Sequence, residues 1–171
     1  MVRAALALDV DGTIDTADPA ELLRLKNAAA RLHVPLYINT ARSEPYCEDP
    51  DLLTTMYVPQ SRHHCLVHPY PPTSKVVNMH TIQKNAAVYH PECVILIDDR
   101  PENVDAVREQ GFKAIWVDAS LGIRRETVDR AIKAMERCSR RTRGPRIFAL
   151  LLASLALLLL LPHTRRRVLR R

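Results

Sequence analysis

Three short apolar runs in this 171-residue chain each give way to oxygen-bearing side chains, and that recurrence restricts the fold more than any other feature. The run within Arg3–Val10 leads into Asp9 and Asp11, Leu36–Asn39 into Thr40, and Val94–Ile97 into Asp98 and Asp99. Apolar runs of this length read as buried strands. Helix signals lie between them. Asp18-Pro19-x-Glu21 supplies an N-cap, a first-turn proline and a first-turn acid for a helix through Leu32. Val76, Met79, Ile82 and Ala86 share one face of a helix over Lys75–Ala87, and Pro101–Gln110 reads as a helix stopped by Gly111. Ala114–Val117 is a further strand, with Trp116 expected in the core. Val128, Ile132 and Met135 mark a last helix. Strands alternating with helices predict an α/β domain with a parallel sheet covered on both faces. Such sheets bind ligands beyond the carboxyl ends of their strands, where these oxygen-bearing residues fall.

The chemistry of that edge follows from charge. Carboxylates converging at one end of a sheet raise one another's pKa unless a cation joins them. A set of oxygen ligands selects a hard ion, and Mg²⁺ is the natural candidate. Gly12 permits the tight turn after Asp9 and Asp11.

In order, Asp9-x-Asp11-Gly12-Thr13, Thr40, a helix-borne lysine and Asp98-Asp99 resemble the four motifs of haloacid-dehalogenase (HAD) phosphatases over residues 4–120. Lys75-Val76-Val77-Asn78-Met79 followed by Asp98-Asp99-Arg100-Pro101-Glu102-Asn103 is closer still to the small magnesium-dependent phosphatases of that superfamily. The resemblance implies a Rossmann-like fold and a phosphoric monoester hydrolase acting through an aspartyl-phosphate on a phosphorylated small molecule or macromolecule. It implies Asp9 as nucleophile and Asp11 as general acid and base. Mg²⁺ would be held by Asp9, the backbone carbonyl of Asp11, and Asp99. Thr40 and Lys75 would stabilise the phosphoryl group, and Asp98 and Asn103 would orient the metal shell. Gly12, Thr13, Ala41 and Arg42 would line the phosphate site, although a surface salt bridge is an equal reading of Arg42. Lys84 competes with Lys75 but falls late in its helix, whereas Lys75 stands at the start, nearest the strand ends.

Neither Thr13–Thr40 nor Thr40–Lys75 is long enough for a full cap domain, so the site is expected to be open. The stretch from Arg42 to Thr73 holds six of the twelve prolines and reads as irregular, with a short strand at Cys65–Val67, and would form the rim. The spacing of His63, His64, Cys65 and His68 matches no structural zinc site.

Charge divides the chain. Residues 1–136 carry 15 basic and 19 acidic residues, a net −4, whereas residues 137–171 carry ten arginines and no acid. Between the arginines, Ile147–Leu161 is apolar except for Ser154. As a helix this run covers about 22 Å, short of the roughly 30 Å hydrocarbon core, but flanking arginines can snorkel to both interfaces. The expected organisation is a phosphatase domain over 1–136, an arginine-rich linker over 137–146, a transmembrane tail anchor over 147–161 and a basic tail over 162–171. A buried core helix is the alternative for 147–161. Nucleic-acid binding is disfavoured, because no aromatic residues interleave the arginines. Cys47, Cys65, Cys93 and Cys138 are too few for a disulfide scaffold, and reduced thiols in a cytosol-facing domain are the default expectation. The competing class of function is a membrane-anchored interaction protein that keeps the fold and turns over weakly.

Overall fold

The computed structural model describes residues 4–42, 58–65 and 71–141. Five parallel strands form one sheet in the order β3-β2-β1-β4-β5, where β1 is Ala5–Leu8, β2 Leu36–Asn39, β3 His63–His64, β4 Val94–Asp98 and β5 Lys113–Trp116. Helices α1 (Pro19–Arg31), α2 (Pro71–Asn85), α3 (Pro101–Glu109) and α4 (Arg125–Arg141) complete the alternation. Right-handed crossovers put α1 on one face and α2 and α3 on the other, since the chain steps in opposite directions from β1 to β2 and from β4 to β5. Arg24 of α1 pairs with Asp129, which sets α4 beside α1. Central strands β1 and β4 are buried along their whole lengths, as continuous apolar runs in a sheet covered on both faces should be.

Local chemistry explains the element ends. Asp18 caps α1 by accepting the Ala20 N–H at 2.8 Å, with Pro19 in the first turn, as the sequence predicts. Helix α2 starts at Pro71, four residues before the expected Lys75. The first-turn N–H groups of a helix have no intrahelical acceptor, so Pro71 and Pro72 start it without loss. Strand β3 lies at His63–His64, pairing with Ile38 and Asn39; of the expected strand at Cys65–Val67, Cys65 lies outside β3 and residues 66–67 are outside the described residues. Strand β5 begins one residue earlier than expected, and as an edge strand it leaves Trp116 46% exposed. The core assignment of Trp116 is thereby corrected.

The expectation of reduced thiols is also overturned. Cys93 and Cys138 form a disulfide, and Cys65 is disulfide-bonded as well. Nothing in the spacing foretold the first pair, because the sheet brings together cysteines 45 residues apart. It ties the short 3₁₀ turn Pro91–Cys93, which feeds β4, to α4. Helix α4 runs on to Arg141, so Arg137 and Arg140 belong to it. The expected apolar anchor at 147–161, most of the rim and His68 lie outside the described residues, and among those described no helix is long and apolar enough to cross a membrane.

The disulfide closes a loop of the size for which chain-entropy arguments give about 4 kcal/mol of stabilisation. Cys93→Ala/Cys138→Ala should therefore unfold at markedly lower denaturant than the oxidised wild type. Reductant should lower the wild-type midpoint at least as far, since it also opens the bond of Cys65, and equal midpoints without reductant would refute the contribution of the Cys93–Cys138 bond.

Candidate active site

The site is assembled where β1, β2 and β4 end. Asp9 follows β1, Thr40 follows β2, and Asp98 closes β4 with Asp99 next in the chain. The Lys75 side chain reaches this edge from the second turn of α2 and is wholly buried. Its Nζ donates to Asp9 Oδ1 at 2.5 Å and to the Asn39 carbonyl, and it stands 3.0 Å from Asp98 Oδ2 as an ion pair without hydrogen-bond alignment. A buried ammonium without such partners would cost several kcal/mol. Lys84 sits in the last turn, exposed and away from this cluster.

Carboxylates of Asp9, Asp98 and Asp99 each offer an oxygen, and these oxygens lie within 4.8 Å of one another. This is the one such group of His, Cys, Asp and Glu among the described residues. Burial is the main force pushing the Asp9 carboxyl up to about 7, with the negative charge of Asp98 adding to it and Lys75 opposing it. Asp99 is raised for the same first reason, burial, and then by Asp98. Three acids crowded to this extent, with Asp98 Oδ2 lacking any hydrogen-bond donor, fit a hard divalent cation. Asp98 Oδ1 accepts from Asn103 Nδ2 at 3.0 Å and from the Arg100 N–H at 2.9 Å.

Gly12 is required twice over. Its φ of +68° suits glycine, and a Cβ there would meet Asp99 Oδ2 at 2.7 Å. The turn and the third carboxylate therefore touch only because position 12 has no side chain. Thr13 is fully buried beside it, with its hydroxyl unpartnered. Asp11 is exposed, and Arg42 forks onto it, Nε at 3.1 and 3.0 Å and one terminal nitrogen at 2.5 Å. That guanidinium holds the Asp11 carboxyl below the usual range. Thr40 is buried, accepting the Arg42 N–H on its hydroxyl at 3.2 Å, and half-buried Ala41 lies between the two. Thus Asp9, Lys75, Asp98 and Asp99 form the interior of the site, while Asp11, Ala41 and Arg42 form its mouth.

Sequence reasoning missed two asparagines. Asn39 Nδ2 donates to the Lys75 carbonyl at 3.2 Å, and its Oδ1 accepts from Asn78 Nδ2 at 3.0 Å. Asn78 also donates to the carbonyls of His64 and Cys65. Together they join α2, β2 and β3 around the lysine. A polar residue ending an otherwise apolar strand, and another three positions after Lys75 on the same helix face, were the available signals.

No protein-family model matches the sequence, and no curated protein matches it. Solved structures do. An uncharacterized protein from Corynebacterium glutamicum superposes with a TM-score of 0.55 at 16% identity, over 80% of this chain and 95% of that one. The 3-deoxy-D-manno-octulosonate 8-phosphate phosphatase of Yersinia pestis gives 0.51 at 14% identity, over 84% and 85%. This is the haloacid-dehalogenase fold. The HAD domain of the Legionella pneumophila effector Lem4 matches more loosely, at 0.45 and 16% identity over 80% and 97%. At these identities the likeness concerns the HAD scaffold, and the chemistry rests on the residues above.

A carboxyl raised to about 7 must lose its proton to ligate a cation. Below pH 7 the apparent Mg²⁺ affinity should fall, by up to about tenfold per pH unit, and above it should level off. Adding Mg²⁺ in weak buffer at about pH 6 should release close to one proton from the wild type and none from Asp9→Asn. Proton release that survives in the variant would reassign the titrating group.

Proposed function

We propose that the domain is a Mg²⁺-dependent phosphomonoester hydrolase working through an aspartyl-phosphate, tethered to a membrane by residues 147–161. The observation that carries this reading is the meeting of Asp9, Asp98 and Asp99 around a buried lysine at the carboxyl edge of a HAD sheet. The neighbouring Yersinia phosphatase adds a precedent for phosphate-ester chemistry on this scaffold.

Asp9, the Asp11 carbonyl and Asp99 would hold the cation, which when bound offsets charge between the nucleophile and the phosphoryl oxygens. The Asp9 carboxylate attacks phosphorus, forming an acyl-phosphate bond as the ester P–O bond breaks. Asp11, as a neutral acid, gives its proton to the departing alkoxide. It then takes a proton from water as that water attacks phosphorus, which frees phosphate and restores Asp9. Lys75 favours the ionised form of Asp9 and faces the phosphoryl charge, and the Thr40 hydroxyl and the 41–42 backbone cradle its oxygens. Arg42 has two suitors, since the dianionic phosphoryl group competes with Asp11 for the guanidinium. Its transfer to substrate leaves the Asp11 carboxyl able to carry a proton.

The membrane reading rests on the apolar run Ile147–Leu161 between arginine clusters. The cysteines bear on which side of that membrane the domain faces. Disulfides persist in oxidising compartments and are rare in cytosol, so the bonded Cys93, Cys138 and Cys65 favour the non-cytosolic face.

With Mg²⁺, the wild type should hydrolyse an aryl phosphate, and Asp9→Asn should be slower by several powers of ten. Lys75→Ala should cost about 3–4 kcal/mol of transition-state stabilisation while Lys84→Ala stays near wild type. A wild type that binds Mg²⁺ yet releases no phosphate from any ester would instead be the interaction protein.

Residues 137–171 fused to an unrelated soluble protein should carry it into membranes and resist carbonate extraction. A fusion that remains in the soluble fraction would end the tether reading. Recovery of the native protein with all four thiols free would return the domain to the cytosol.

A further inference from the structure

Trp116 is large, apolar and yet half exposed at the carboxyl end of β5, where burial gives it little reason to be. Its indole N–H donates to the Asp99 carbonyl at 2.7 Å, a bond between residues 17 positions apart. Strand register makes the reach possible, because Trp116 pairs with Asp98 and the next amide, Val117 N–H, donates to the Asp98 carbonyl at 3.1 Å.

The target of that bond is specific. The Asp99 carbonyl and the Arg100 N–H are the two polar groups of one peptide unit. Asp98 Oδ1 holds the N–H at 2.9 Å, and Trp116 holds the carbonyl from the other side. Asp98 is itself fixed by Asn103 and by the Lys75 charge. A peptide gripped at both ends cannot rotate, and its orientation sets the direction of the Asp99 Cα–Cβ bond. Room for error is small, since Gly12 leaves only enough space for the Asp99 carboxylate to pass.

We propose that Trp116 is a positioning residue for the third carboxylate of the metal site: its indole N–H fixes the peptide after Asp99 and so aims the Asp99 side chain at the cation. The proposal rests on the Mg²⁺ reading above and adds to it a partner outside the motifs. Removing an outer partner of a metal ligand typically weakens metal binding about 10–100-fold. The chain's one tryptophan is also the residue concerned, so its emission reports on this contact without any substrate.

The experiment is Mg²⁺ calorimetry on the full-length protein beside thermal melting. Trp116→Phe keeps an aromatic ring and lacks the donor. It should melt as the wild type does but bind Mg²⁺ about tenfold more weakly, with the rate at saturating Mg²⁺ nearly restored. In the wild type, Mg²⁺ should change the tryptophan emission with the calorimetric midpoint, and Asp99→Asn should abolish the change. Should Trp116→Phe fail to fold, benzothienylalanine at position 116, which exchanges only the N–H for sulfur, makes the same comparison. Unchanged Mg²⁺ affinity in the donor-less protein, or flat emission while calorimetry registers binding, would overturn the positioning role and leave the phosphatase reading intact. No Mg²⁺ binding by the wild type would overturn both.

Discussion

The buried ammonium of Lys75 is the constraint on which the rest of this domain depends. It is among the largest fully buried side chains, and it meets two carboxylates and a backbone carbonyl at the ends of three different strands. Either sign of charge alone in this position would be expensive, and together they tolerate burial. The arrangement sets the spacing of β1, β2 and β4 at that edge, because each must deliver its acceptor within reach of one nitrogen. It also fixes where α2 starts, because Lys75 lies in its second turn. Two acids facing one lysine, with a third acid beside them, still leave an excess of negative charge. That excess suits the binding of a cation.

The sheet and the acidic cluster at its carboxyl edge were legible because they depend on local pattern. Apolar runs too short for helices, each ending in Asp or Thr, can hardly be anything but buried parallel strands, and β2 begins and ends at the expected residues Leu36 and Asn39. Asp18 announced α1 by the same economy. What stayed hidden depends on relations between distant elements. Pro71 and Pro72 look like irregular chain until a helix start is known to need no N–H groups there. Trp116 looks like core until β5 is seen to lie at the edge. The Asn39–Asn78 network is visible only once α2 is placed against β2, and the Cys93–Cys138 bond only once α4 is placed against the turn before β4.

Site residues divide along a similar line. The residues proposed to touch phosphorus or a cation are polar and adjacent to strand ends, so the sequence exposes them. Residues that hold those groups in place are recruited from wherever the fold supplies a donor. Asn103, five positions after Asp98, belongs to the first kind by spacing and to the second by action. Arg42 crosses the division, since its fork on Asp11 is at once a surface ion pair and a hold on the acid. Of the two readings open to that arginine in the sequence, the salt bridge is the one observed, and contact with substrate belongs to the proposed function.

The position of the Cys93–Cys138 bond has a mechanical consequence. Cys138 lies in the last turn of α4, and the chain beyond Arg141 continues toward the apolar run. Any force applied through that tail reaches Cys138 before it can peel α4 from the sheet. The covalent link passes the load to Cys93, at the foot of the central strand that carries Asp98. Strands in the middle of a parallel sheet resist shear through hydrogen bonds on both sides, and β4 is paired with β1 and β5. A domain hung by this end would carry the load into β4 through the disulfide and not through the packing of the last helix alone.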